Sequence, residues 1–228
     1  MPKGIIINSL SIFIGGLLGL PLKKLVSEDL KKIFITILGF GAFVIAIPSI
    51  IKLDSIPIVV LSLILGTVTG ELIRLDTRLR NSLATLLNKT AIGKDKVKEN
   101  HLITLITIFC FSGAGLFGVF SEGFTGDSSV LIAKSVLDFA TALIFSSSIG
   151  FMASLIAAPQ FIIFIILYLL SSYLGHRISD AAVSNFISIG GVITLMIGFN
   201  LTGIKEMRVL NAIPSFVYVI LFTELLPV

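Results

Sequence analysis

The 228-residue chain is 55% hydrophobic and only 13% charged, with a formal net charge of +4 and a mean hydropathy of +1.07. Soluble domains carry about 25% charged residues, so this composition excludes an ordinary water-soluble fold. The positive excess needs no nucleic acid as a partner, because basic residues on one face of a membrane protein meet anionic lipid.

In chain order, eight apolar stretches run over 4–20, 34–51, 56–73, 102–120, 139–158, 160–175, 182–203 and 209–226. Each approaches the ~20 residues that a ~30 Å hydrocarbon core demands of a helix. In lipid, backbone N–H and C=O groups must be satisfied inside the protein, and these runs of Leu, Ile, Phe, Gly and Ala lack the strict alternation of barrel strands. The expectation is an all-α, polytopic integral membrane bundle of seven to eight spans. It forms one domain over 1–228, since no linker is longer than the stretch from 74 to 101. Lys3 precedes the first apolar run as in a signal peptide, but Leu17 to Leu22 offers no small-residue cleavage site and the run ends in Lys23 and Lys24. The segment is therefore read as retained.

Taking alternate sides of the spans, Lys23, Lys24, Lys31, Lys32, Arg74, Arg78, Arg80, Lys89, Lys94, Lys96, Lys98, Lys205 and Arg208 share one side. The other side holds Lys3, Lys52 and Arg177, and Lys134 stands apart. Short cytoplasmic loops carry the basic excess, so 21–33, 74–101 and 204–208 are predicted to be cytoplasmic and both termini to lie outside. Within the second of these, Asp76 to Lys89 sets Leu79, Leu83, Leu86 and Leu87 on one face and Thr77, Arg78, Arg80 and Asn81 largely elsewhere. That pattern suits a helix lying in the headgroup layer, with a solvated loop helix as the competing reading.

Gly15 and Gly19, Gly66 and Gly70, and Ala114 and Gly118 place small residues four apart. Such pairs let helix backbones approach closely. Packing within one subunit is the preferred reading, and a homo-oligomer face is the other. Asn8 to Ile12 and Asn185 to Ile189 read N-S-L-S-I and N-F-I-S-I, each followed by a glycine pair, and A-I-P-S occurs at Ala46 to Ser49 and Ala212 to Ser215. A duplication would favour a transporter-like architecture, but the two alignments imply conflicting orientations, and chance in a restricted alphabet is the alternative.

Polar chemistry concentrates after Phe109, in F-C-F-S-G-A-G-L-F-G-V-F, S-E-G-F-T-G-D and S-S-V-L-I-A-K-S-V-L-D. One helix from Ser128 to the edge of Pro159 would be ~45 Å long at ~1.5 Å per residue, longer than the bilayer core. The 121–138 region is therefore expected to project beyond the outer surface or to be broken or re-entrant. At ~100° per residue, Asp127, Lys134, Asp138, Thr141 and Ser148 fall within an arc of about 80°. This stripe, with Glu122 in the preceding turn, is the candidate solute or ion pathway, expected as a vestibule opening outward. Lys134 and Asp138 can pair at i and i+4. Ionisable groups in apolar runs usually face a cavity or substrate path, whereas a structural ion pair fixing helix ends is the bland reading. Glu71, Asn8 and Ser112 are secondary polar positions, and Asn185, Asn200 and Ser146 to Ser148 can hydrogen-bond between helices.

Cys110 is the only cysteine and lies in an apolar run, and neither His101 nor His176 has a ligand-spaced cluster beside it. No metal site and no cofactor are expected. There is no H-E-x-x-H, no G-x-S-x-G and no second aspartate in an apolar run to form a dyad with Asp138, so the chain does not read as an enzyme.

Three of these motifs, F-C-F-S-G-A-G, S-E-G-F-T-G-D and A-K-S-V-L-D-F, occur with an opening G-I-I-I-N and a G-x-x-x-G-E-L at 66–72. In them, and in the order of its hydrophobic segments, the chain resembles the bacterial membrane proteins grouped as domain of unknown function 554, over nearly its whole length. The resemblance implies an integral protein of prokaryotic inner membranes with a presumed transport role. On the family pattern Asp127, Lys134, Asp138 and Glu71 match. The chain departs at Glu122, where an aspartate is expected, and at Phe139, where a glycine is more usual and where the ring would narrow a passage beside Asp138. The leading expectation is a small transporter or channel-like protein for a small solute or ion. The alternative is a non-transporting scaffold or regulator acting through the basic 74–101 face.

Overall fold

The computed structural model describes residues 1–88, 96–175 and 177–226. Lys89, Lys94 and His176 lie outside the described residues, as do the side chains of Lys23, Lys24, Leu86, Lys96 and Lys98. Among the described residues every regular element is helical. They are α1 (Lys3–Gly19), α2 (Glu28–Ile50), α3 (Ile56–Leu72), α4 (Leu75–Asn88), α5 (Lys96–Phe111), α6 (Gly113–Thr125), α7 (Ser129–Ile149), the single turn α8 (Met152–Leu155), α9 (Ala157–Leu174), α10 (Asp180–Thr202) and α11 (Ser215–Leu225). Short 3₁₀ turns occupy Pro21–Lys24 and Val209–Ala212.

The helices start and stop where local chemistry dictates. Ser27 and Ser179 accept from the N–H groups of Leu30 and Ala182, each three residues on, with Glu28, Asp29 and Asp180 in the first turns. These residues satisfy orphan donors and complement the positive end of the helix dipole. Gly126 and Gly203 end α6 and α10 at φ of 77° and 72°, a left-handed conformation that costs glycine nothing.

Five helical stretches are long and apolar enough to cross a membrane, or six if the pair α3 and α4, bent by 49°, counts as one span. The sequence implied seven to eight. The shortfall comes chiefly from α1 and Val209–Leu225, apolar but short: the 17 residues of α1 reach only ~26 Å at ~1.5 Å each. The fifth stretch also differs from expectation. Instead of 139–158, the helix spans 129–149, about 32 Å at ~1.5 Å per residue, close to the thickness of the hydrocarbon core. Lys134 and Asp138 therefore lie within the span, because they neutralise each other, a compensation that residue-by-residue hydropathy omits. Gly150, at φ 70°, ends α7, and Pro159 falls in the first turn of α9, where its missing N–H costs little. Within 121–138 the helix is interrupted once, at 126–128, where three residues lead from α6 into α7. Another break falls earlier, at Ser112, between α5 and α6.

The small residues are spent on packing within the chain. A Cβ on Gly15 or Gly19 would meet the carbonyl oxygens of Phe139 and Leu143 at 2.4 and 2.1 Å, and one on Gly66 or Gly70 would meet Ser215 N and Asn211 O at 2.3 and 2.0 Å. Thus α1 lies parallel along α7, and α3 runs antiparallel to the segment leading into α11. α2 is antiparallel to α10, which it meets at Gly39 and Gly191. α6 is wedged between α9 and α10, and Phe117, Phe186 and Phe216 belong to an apolar cluster there.

After Arg74, whose φ of 52° turns the chain, α4 half-buries Leu79, Leu83 and Leu87 and exposes Thr77, Arg78, Arg80 and Asn81. This is the amphipathic helix the sequence implies, packed on α5 and on the Val209–Ala212 turn. Of the two internal similarities, Asn8 and Asn185 lie on helices running in the same direction. The A-I-P-S pair falls at opposite ends of the bundle, closing α2 and opening α11.

Candidate functional site: a buried charge pair between α1, α7 and α9

Lys134 and Asp138 face inward on α7, one turn apart, and are 3% and 2% exposed. Lys134 Nζ donates to Asp138 Oδ2 in a short ion pair and lies 5.9 Å from the centroid of the Phe109 ring, within the range where an aromatic face attracts a cation. The same carboxylate oxygen accepts from Asn8 Nδ2 at 2.8 Å. Asn8 Oδ1 in turn accepts from Gln160 Nε2 at 2.7 Å, and Gln160 Oε1 accepts from Ser9 Oγ at 2.6 Å. A chain of hydrogen bonds thus runs from α7 through α1 to α9. Taking one charge of a buried pair away typically costs about 3–5 kcal/mol, so each partner holds the other in place and the amides fix the rotamer of Asp138.

On its other side the pair lines a cavity of about 40 Å³ between α2, α6, α7 and α10, whose polar walls are Ser112, Thr141 and Thr194. At roughly 10–15 Å³ each, a few water molecules fit. A larger hollow of about 210 Å³, polar at Asp76, Arg80, Thr104, Thr107 and Asn200, opens at the α4 end of the bundle. Ile108, Ile197 and Leu201 line both spaces, so the two adjoin across these aliphatic side chains. Towards the α6–α7 turn the pair is sealed instead, by the fully buried Ile5, Val119, Leu131 and Phe164. The hollow described beside the pair therefore lies towards the α4 end, and the side towards the α6–α7 turn is packed. Angular position alone could not reveal this, because it does not record what other helices lay over each level.

The expected residues divide accordingly. Lys134, Asp138, Thr141 and Ser112 share the cavity, and Asn8 stands behind it. Ser112 also caps α6, accepting from Gly115 N at 3.1 Å. Asp127 sits at the turn, accepting from Ser129 Oγ at 2.5 Å and Ser129 N at 2.9 Å. The Ser129 hydroxyl, and then its N–H, hold the Asp127 carboxyl below the usual carboxylate range. Glu122 is buried near the start of α1, where Oε1 accepts from Gly4 N at 2.8 Å. Ser148 is at the opposite end of α7, accepting from Lys31. Glu71 pairs with Arg208 and accepts from Asn211 Nδ2 at the α4 end. Phe139 does not line the cavity, and its carbonyl faces Gly15. Gln160 and Ser9 were not anticipated. Gln160 carried a signal, being the only glutamine in the chain and standing in an apolar run. Among the described residues no group of three or more His, Cys, Asp or Glu side chains could hold a metal ion.

Apolar helices of spanning length around a buried charge network define a polytopic helical membrane protein. Residues 3–224 match the family described as "Protein of unknown function (DUF554)", and the chain belongs to that family. It is 33% identical over 219 residues to the uncharacterized protein YqgA of Escherichia coli strain K12, covering 94% of this chain and 93% of that one. It is 27% identical over 219 residues to the uncharacterized membrane protein YdfK of Bacillus subtilis strain 168, covering 93% and 91%. No solved structure matches.

Proposed function

We propose that this protein is a non-enzymatic conduit for a small solute or ion in the prokaryotic inner membrane, with Lys134 and Asp138 at the point of passage. Loops 21–33, 74–101 and 204–208 lie in the cytoplasm and both termini outside, which puts the polar hollow at Asp76 and Arg80 on the cytoplasmic side. The observation that carries this reading is the sharing of Ile108, Ile197 and Leu201 between that hollow and the cavity at the charge pair. An ion pair that merely tied helices together would need neither space. Aliphatic constrictions close a pore by excluding water and open with small shifts, and Asp138 or Lys134 then meets a proton, cation or anionic group arriving from the cytoplasm.

The test is flux in proteoliposomes against a panel of protons, alkali cations, halides and small carboxylates. The parent should move at least one of them, and Asp138→Asn and Lys134→Met should each lower that rate at least about tenfold, the equivalent of ~1.4 kcal/mol in the barrier. Parental rates in both variants would overturn the assignment. A folded parent that moves nothing in the panel would favour the second reading, a scaffold or regulator acting through its basic face. The exposure of Arg74, Arg78 and Arg80 at and beside amphipathic α4 supports that alternative.

A further inference from the structure

A separate polar hollow of about 150 Å³ lies at the α4 end, where the starts of α2 and α5 meet the end of α7. It is lined by Glu28, Lys31, Lys32, His101 and Ser148 beside Phe145. Lys31 Nζ donates to Ser148 Oγ at 2.7 Å and to Glu28 Oε1 at 2.6 Å. Its side chain is only 17% exposed, whereas that of Glu28 is 79% exposed. The cation is thus built into the wall, and the carboxylate that meets it comes from the surface. With Glu28 in solvent the pairing adds little net stability, so a stronger anion displaces its carboxylate. His101 packs its ring edge-on against Phe145 at 6.0 Å, and its Nδ1 is buried with no hydrogen-bond partner. A buried polar atom left in that state costs about 1–3 kcal/mol, a cost that a turn of the imidazole towards a ligand in the hollow would remove. The hollow also adjoins the first turn of the 23-residue α2, where the helix dipole favours negative charge.

We propose that this hollow binds a phosphate group, carried by an anionic lipid headgroup or free in solution. Lys31 supplies a largely buried charge and Lys32, 4.0 Å from Asp29, a second at the rim, while Ser148 Oγ–H donates to one phosphate oxygen and the His101 imidazole turns to donate to another. Ser148 can do so because its oxygen accepts from Lys31 while its hydrogen is free to turn. Glu28 is the competitor that leaves Lys31 when phosphate enters. This site is independent of the Lys134–Asp138 pathway and stands or falls without it.

The full-length protein is titrated with inorganic phosphate by calorimetry. In parallel, retention of phosphatidic acid from phosphatidylcholine vesicles containing it is read by native mass spectrometry. Lys31→Gln and His101→Ala should each weaken binding about tenfold or more, since hydrogen bonds to charged groups are worth roughly 1.5–3 kcal/mol. Glu28→Gln, at an exposed position that does not threaten the fold, should tighten binding severalfold. Retained phosphatidic acid that inorganic phosphate does not displace assigns the lipid source, and phosphate binding without lipid retention assigns the free anion. Failure of the parent to bind either probe overturns the proposal. So does a Glu28→Gln variant that binds no tighter than the parent.

Discussion

Removing Lys134 and Asp138 singly and together separates a true buried pair from two polar residues that happen to be neighbours. Lys134→Met leaves the Asp138 carboxylate with Asn8 alone, and Asp138→Asn leaves the Lys134 ammonium facing an amide in a site where each residue is at most 3% exposed. Either should cost about 3–5 kcal/mol. The double variant buries no charge, keeps an amide oxygen to accept from Asn8 Nδ2, and approximates the volume of the parent, so its cost should stay under ~1.5 kcal/mol. At ~2–4 °C per kcal/mol for a chain of this size, the single variants should melt about 6–20 °C below the parent and the double variant within about 6 °C of it. Cys110, the chain's only cysteine, is fully buried, so a thiol-reactive fluorogenic dye reports unfolding without an added label. Losses that simply add in the double variant would show that the two residues do not support each other, and the site would lose its physical basis. If stability returns in the double variant but flux does not, the pair acts in passage as well as in folding.

Three further outcomes follow from the geometry. Gly70→Ala would push a methyl to 2.0 Å from the Asn211 carbonyl oxygen, and since only backbone movement relieves it, a loss of about 1–3 kcal/mol is expected in the same melting assay. Asn185 Oδ1 accepts from the N–H groups of Asp54 and Ser55 at 2.9 and 3.0 Å, and its Nδ2 donates to Thr223. Asn185→Ala should therefore cost about 1–3 kcal/mol and make the link between α2 and α3 more susceptible to proteolysis. Asp127 has its carboxyl held below the ordinary range by Ser129, so its contribution is fully present above the unfolded value of ~3.9 and is lost as pH falls through the lower folded value. Asp127→Asn should flatten the fall in stability below about pH 4, as read by circular dichroism melts, and leave the slope above pH 5 unchanged; an unaltered acid limb would refute the capping role.

The all-helical membrane character was legible because composition fixes the solvent, and the solvent leaves the backbone few options. The amphipathic face of α4 at Leu79, Leu83 and Leu87 and the i, i+4 pairing of Lys134 with Asp138 were legible because both are set by local helical geometry. What sequence reading missed depends on distant partners. Asn8 meets Asp138 across 130 positions and Gln160 meets Asn8 across 152, and periodicity carries no information at that range. The register of α7 was displaced by some ten residues because two charges that cancel in space were weighed separately along the chain. The break at Ser112 has a visible sign, a serine followed by glycines, but the apolar run continues across it, so hydropathy does not register the interruption.

The interruption at Ser112 has a mechanical consequence. An unbroken 27-residue rod over Glu99–Thr125 would have to tilt as a whole, carrying the wedge at α9 and α10 with it. The break lets each half keep its own register, so that α5 buries Leu102, Leu105 and Phe109 in one apolar cluster while α6 buries Leu116 and Phe117 in another. Each half of the stretch is thus fitted to its own neighbours without dictating the rotation of the other.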